Sequence, residues 1–124
     1  MTETAYQNKI MKWVEEIGGV VVNGQYSKRG EADLQVGFPY EGTLLHLAIE
    51  VKSKVAYEKL MKGINEEDRK YIITDRKKVG DREILQLAKL NRNRSRGGLA
   101  LFAYSIEQII SYVQEAIEYR EDNT

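Results

Sequence analysis

The stretch TLLHLAIEVK, residues 43–52, constrains the fold more than any other. Read as a strand, it puts Leu45, Leu47, Ile49 and Val51 on one face and His46, Ala48, Glu50 and Lys52 on the other, because successive strand side chains point to opposite sides of a sheet. Four aliphatic side chains on one face need a core to lie against. The other face ends in a glutamate and a lysine, side by side at i and i+2. Such a pair is either a solvated ion pair worth little or the polar end of an active site.

The neighbouring segments supply the core. Residues 3–17 read as an amphipathic helix, with Tyr6, Ile10, Val14 and Ile17 recurring at three- and four-residue steps and Trp13 beside them. Thr2 is its N-cap and Gly18-Gly19 its stop. VVVN at 20–23 reads as a buried strand and EADLQVGF at 31–38 as an alternating one. FPYEG is a turn holding the only proline, Pro39. Beyond the third strand, 55–64 reads as helix and 71–74 as a short strand or helical turn. Residues 81–92 read as a helix capped by Asp81, and GGLALFAY as a strand. SIEQ at 105–108 is a capping box that opens a last helix, whose Ile106, Ile109, Ile110, Val113 and Ile117 face the core. The order α-β-β-β-α-α-β-α predicts a single α/β domain over 1–124 with a mixed central β-sheet flanked by helices.

At 124 residues the chain has length for one core. The absence of cysteine excludes disulfides and thiolate metal sites, and a single histidine, His46, argues against zinc. Any metal is therefore expected to be a hard cation held by carboxylates. No apolar run approaches a membrane span and MTETAYQNK lacks a signal peptide's apolar region, so a cytoplasmic protein without a membrane partner is expected. The net charge of zero gives no global argument for nucleic-acid binding. Its distribution does. Basic residues gather at Lys28-Arg29, at Lys52 and Lys54, at Arg76-Lys77-Lys78, and at Arg92, Arg94 and Arg96, while acids gather at Glu15-Glu16, at 66–68 and in the tail. That segregation builds one basic face, or leaves scattered solvated charges.

Asp33 lies on the strand preceding Glu50, joined to it by a turn short enough for an antiparallel hairpin. Across that hairpin the two carboxylates can meet. Two such charges a few ångströms apart repel, and a divalent cation relieves the repulsion. Mg²⁺ accepts one or two carboxylates, keeps several waters and takes phosphate oxygens. A lysine beside it can hold the attacking water or stabilise charge developing on phosphate. The alternative is a cross-strand salt bridge of Asp33 or Glu50 with Lys52.

GEADL, a turn and then LLHLAIEVK resemble the signature of the PD-(D/E)XK nuclease superfamily. ETAYQNKIMKWVEEIGG resembles the opening helix of its VRR-NUC branch, with Gln7 four residues after Glu3 on one helix face. QLAKLNRNRSRGGLALFAYSIEQI resembles that branch's closing block, with Gln86 eleven residues before Gly97. The resemblance covers 3–54 and 81–113. It implies a restriction-endonuclease-like core and Mg²⁺- or Mn²⁺-dependent hydrolysis of DNA phosphodiesters. Asp33, Glu50 and the carbonyl of Val51 would be metal ligands, and Lys52 would position or polarise the nucleophilic water. Glu3 would approach the metal from the first helix, and Gln86 would brace the lysine or the water. Two departures stand out: Ala32 replaces the usual proline, and 53–80 is longer than the usual connection. Arg76, Lys77 and Lys78 within it are DNA contacts or a solvated turn, while Lys28, Arg29 and Lys54 are further candidates for phosphate contacts.

His46 stands about 13 Å along the strand from Glu50, so it reads as structural or substrate-contacting. So small a domain favours structure-specific cleavage of branches, flaps or Holliday junctions over sequence-specific readout. The resemblance further implies a homodimer, whose two-fold axis would place two sites on a symmetric junction, and a phage or bacterial origin. The competing expectations are a nuclease fold that binds DNA or assembles without cleaving, and a plain interaction protein.

Overall fold

A computed structural model describes residues 2–23 and 34–122. The elements are α1 (Glu3–Glu16), β1 (Val20–Asn23), β2 (Leu34–Tyr40), β3 (Thr43–Val51), α2 (Lys54–Met61), β4 (Ile64–Glu67), β5 (Lys70–Ile73), a 3-10 turn (Arg76–Lys78), α3 (Asp81–Ser95), β6 (Leu99–Ala103) and α4 (Ile106–Asp122). Four strands form one mixed sheet in the order β1-β2-β3-β6, with β3 antiparallel to β2 and parallel to β6. The mixed sheet flanked by helices matches the sequence expectation.

The period-two pattern of β3 sorts the core into two layers. Leu47, Ile49 and Val51, with Leu99, Leu101 and Ala103 of β6, meet Ile10 and Val14 of α1 and Ile109, Val113 and Ala116 of α4. Ala48, Ala100 and Phe102 project the other way, against Leu60 of α2, Ile64 and Tyr71 of the β4–β5 hairpin, and Leu87 and Leu90 of α3. Each fully buried Leu, Ile or Phe contributes about 1.5–3 kcal/mol, so a central strand packed on both faces is the most firmly placed element. Its polar end inherits that rigidity.

Two glycine pairs end helices in the same way. Gly18 and Gly97 adopt φ of 87° and 84°, a left-handed conformation that favours glycine. In α1 the Gly19 amide donates to Val14 O and the Gly18 amide to Glu15 O; in α3, Gly98 donates to Asn93 O and Gly97 to Arg94 O. The first pair is the expected stop. The second corrects the reading of GGLALFAY as one strand: its glycines finish α3, and β6 starts at Leu99.

Further expectations change: β1, read as a buried strand, is a sheet edge with Val20 and Val22 exposed, and Ile110 of α4 is exposed as well. Pro39 lies inside β2, paired with Leu44, and the turn falls at Glu41-Gly42. The segment read as helix to Ile64 ends at Met61, because Ile64–Glu67 pairs with Lys70–Ile73 as a hairpin. Asn65, Glu66 and Glu67 carry no strand pattern, and their pairing is set by the tight turn at Asp68-Arg69, both with positive φ. At α3 the N-cap is Gly80, whose amide donates to Glu83 Oε1 at 3.1 Å, and Asp81 is the first helical residue. The capping box at Ser105 holds: Gln108 N donates to Ser105 Oγ, and Gln108 Oε1 accepts from Ser105 N.

β6 is an edge strand of the sheet, and side chains seal its outer rim. The Ala100 amide donates to Tyr112 Oη and the Phe102 amide to Tyr71 Oη, both at 3.0 Å. Ala100 O accepts from Arg94 Nε at 2.6 Å. Burial pushes the Tyr71 phenol well above its usual 10.0, with Glu66 adding to the shift and Arg94 opposing it. A raised phenol contributes stability that is complete below pH 10 and is lost as pH climbs beyond it. Tyr71→Phe is therefore expected to cost about 1–2 kcal/mol at pH 7, through the orphaned Phe102 amide, and to flatten the alkaline decline. Urea melts from neutral to strongly alkaline pH check both; an equally steep decline in the variant would assign it elsewhere.

Candidate active site

Glu50 and Lys52 leave β3 at its carboxyl end, on the face covered by α3. Glu50 is opposite Phe102 in the parallel pair with β6, and the Lys52 amide donates to Ala103 O at 2.9 Å. Beyond them Ser53 caps α2, its Oγ accepting from Ala56 N. The strand must therefore end here, and its last polar side chains are held between two ordered elements.

Among the described residues the buried polar or charged side chains are Gln7, Glu50, Lys52, Gln86 and Arg94. The first four all belong to the sequence motifs that carry the resemblance. Glu50 is 3% exposed and Lys52 7%. Withdrawing an ammonium or carboxylate from water costs several kcal/mol unless partners replace the hydration. Lys52 Nζ donates to Gln86 Oε1 at 2.8 Å, lies 3.7 Å from Glu83 Oε2, and stands 5.9 Å from the centre of the Phe102 ring. Gln86 thus holds the lysine from α3 by one hydrogen bond.

Glu83 was not among the sequence candidates. It does two things at once: Oε1 caps the start of α3 through Gly80 N, while Oε2 faces Lys52. Its signal was readable, since it stands one turn before Gln86 on the same helix face. A capping glutamate is ordinary enough to conceal a second role.

Asp33 lies outside the described residues, with Lys28, Arg29, Glu31 and Ala32. The β2–β3 ladder is described from Leu34, which pairs with Ile49. Val51 is fully buried at the end of β3. Glu3 is exposed in the first turn of α1, the helix on the opposite face of the sheet. Tyr6, one turn later, meets the ring of Tyr104 just beyond β6, at 6.5 Å, so α1 starts at the same end of the sheet as the cluster. No three acidic or imidazole side chains gather into a metal-sized group among the described residues. The donors that suit a hard cation here are the Glu50 carboxylate and the Val51 carbonyl.

The outlying candidates fall into different settings. His46 is exposed and its Nε2 pairs with Gln35 Oε1 at 3.0 Å on β2, a structural contact. Lys54 is exposed at the start of α2. Arg76 donates to Val79 O and pairs with Asp81 at 2.7 Å; Lys78 lies 3.7 Å from Asp75. Two of the three cations in that run are therefore partly neutralised, leaving Lys77. No helix among the described residues is long and apolar enough to cross a membrane. The chain matches no protein-family profile, no curated protein and no solved structure.

Proposed function

We propose that this chain is a divalent-metal-dependent deoxyribonuclease of the VRR-NUC branch of the PD-(D/E)XK nucleases, acting on branched, flap or junction DNA. The observation that carries the reading is the buried Glu50–Lys52–Gln86 cluster at the carboxyl end of β3, where a lone surface pair would be solvated. Glu50, the Val51 carbonyl and Asp33 would hold Mg²⁺ or Mn²⁺, which would supply Lewis-acid stabilisation of phosphate and acidify a water. Lys52 contributes a fixed positive charge beside the scissile phosphate and a donor to hold the nucleophilic water. Gln86 fixes the lysine's direction, and Glu83 sets a carboxylate oxygen 3.7 Å from its ammonium. Glu3 would approach the metal from the start of α1, directly or through water. A homodimer in the cytoplasm would present two such sites to a symmetric junction.

The Lys52–Glu83 ion pair favours a second reading, in which the nuclease fold survives as a DNA-binding or assembly module with its lysine held as a structural cation. One assay separates the two. The protein and Glu50→Gln are incubated with labelled linear, flap and four-way DNA in Mg²⁺, in Mn²⁺ and in EDTA. Cleavage that requires metal and falls at least about 10²-fold in the variant is expected. Binding without cleavage supports the module, and neither binding nor cleavage sinks both.

A further inference from the structure

We propose that one exposed stripe of α3 is the track on which a nucleic-acid backbone lies as it leaves the Lys52–Gln86 cluster. The proposal names the substrate surface of the site described above and rests on that nuclease reading. Residues 84–96, ILQLAKLNRNRSR, carry four cations and no acid. Arg94 is turned inward and pairs with Glu66. The others are not.

At 100° per residue, Arg82, Leu85, Lys89, Arg92 and Arg96 fall within about 80° of one another. Arg82, Arg92 and Arg96 are exposed, Lys89 is half-buried, and Leu85 is 61% exposed. None of the four cations pairs with a carboxylate among the described residues. Gln86 stands at the border between this stripe and the buried face, so the row begins beside the lysine it braces. From Arg82 to Arg96 it runs about 21 Å at 1.5 Å per residue. That is the axial length of roughly six nucleotides of one strand.

Shape supports the same reading. Lys89, Arg92 and Arg96 line a shallow cavity of about 340 Å³ with Asn93 and Gly98, a concave basic surface that accepts phosphates better than a flat one. Cations near a helix C-terminus also complement its dipole. That accounts for Arg92 and Arg96 but not for Arg82 and Lys89, one to three turns upstream. A membrane-surface helix would carry a broad apolar face beside its cations, and this stripe has only Leu85. The polyanion it fits is a nucleic acid.

Binding to a short labelled DNA duplex is measured in EDTA, across salt from about 50 to 200 mM, for the wild type, for Arg92→Gln/Arg96→Gln and for Lys9→Gln/Lys12→Gln on the opposite face of the sheet. All four positions are exposed, and circular dichroism verifies the fold. Each phosphate contact adds about 0.9 to the log–log salt slope. The α3 double variant is expected to lose about two from that slope and to bind roughly tenfold more weakly at moderate salt, with the other double variant close to wild type. An unchanged slope, an equal loss in both variants, or binding only to anionic vesicles overturns the proposal. Wild-type protein that shows the α3-dependent slope but never cleaves with Mg²⁺ or Mn²⁺ sustains the track and removes the nuclease reading. Cleavage with a slope indifferent to Arg92 and Arg96 does the reverse.

Discussion

Lys52→Met is expected to lower metal-dependent DNA cleavage by about 10²–10³-fold, the usual loss when a charge-stabilising donor is removed from a pre-organised site. Its effect on stability distinguishes a working lysine from a structural one. Alone, the substitution leaves Gln86 Oε1, at 2.8 Å from Nζ in the wild type, without its donor in a buried position. That costs about 1–3 kcal/mol. Lys52→Met/Gln86→Leu removes both partners in favour of apolar groups of similar shape, a change that is often neutral or stabilising at buried charged sites. The double variant is therefore expected to regain wild-type stability, or exceed it, while cleaving no better than the single one. Urea midpoints and single-turnover cleavage on one DNA substrate read the two quantities. If the lysine instead serves to tie α3 to the sheet through Gln86 and Glu83, the double variant falls below the single one in stability. That result would retire the catalytic assignment.

The sequence exposes this site because burial of polar groups needs a reason. Glu50 and Lys52 sit in an otherwise apolar strand, and the pattern places them on one face whatever the rest of the fold does. Gln7 and Gln86 are less conspicuous, since glutamine on an amphipathic helix is unremarkable without the strand motif to refer it to. Both prove buried. Glu83 is hard to read in sequence because one carboxylate satisfies two demands, and capping alone accounts for a glutamate three residues after Gly80. Helix stops at Gly18 and Gly97 follow from chemistry local to a few residues. The β4–β5 hairpin does not. Its strands are four residues each, INEE and KYII, too short and too polar to show a period. Its pairing depends on a turn whose Asp68 and Arg69 both take left-handed backbone angles that neither residue type signals strongly. Pro39 is hard to place for a related reason: a proline is tolerated in a strand where its missing amide is not needed, and sequence alone does not say which positions those are.

That hairpin has a consequence that sequence pattern conceals entirely. It carries Tyr71 to the open rim of β6, and Arg94 reaches the same rim from α3. The guanidinium lies 4.2 Å from the centre of the Tyr71 ring and 4.8 Å from that of Tyr112, with Nε on Ala100 O and Nη1 on Glu66 at 3.1 Å. Its Nη2 has no hydrogen-bond partner, so the two rings account for much of its holding energy. Burial opposes the charge, yet Tyr71, Tyr112 and Glu66 together keep the guanidinium protonated, its pKa raised above the usual value. Arg94→Met retains the aliphatic stem and removes everything polar. The loss combines an orphaned Ala100 carbonyl, about 1–3 kcal/mol, with two cation–π contacts of about 0.5–2 kcal/mol each. About 3 kcal/mol in total is expected after repacking. Glu66→Gln removes only the half-exposed partner and is expected to cost under about 1 kcal/mol. The rim matters as much as the energy, because an unsealed edge strand is a template for pairing with another chain. Arg94→Met is therefore expected to speed amide exchange at Ala100 and Phe102 and to self-associate at concentrations where Glu66→Gln stays unchanged. Equal urea midpoints for the two variants would show that the ion pair, and not the tyrosine clamp, holds the hairpin against the sheet.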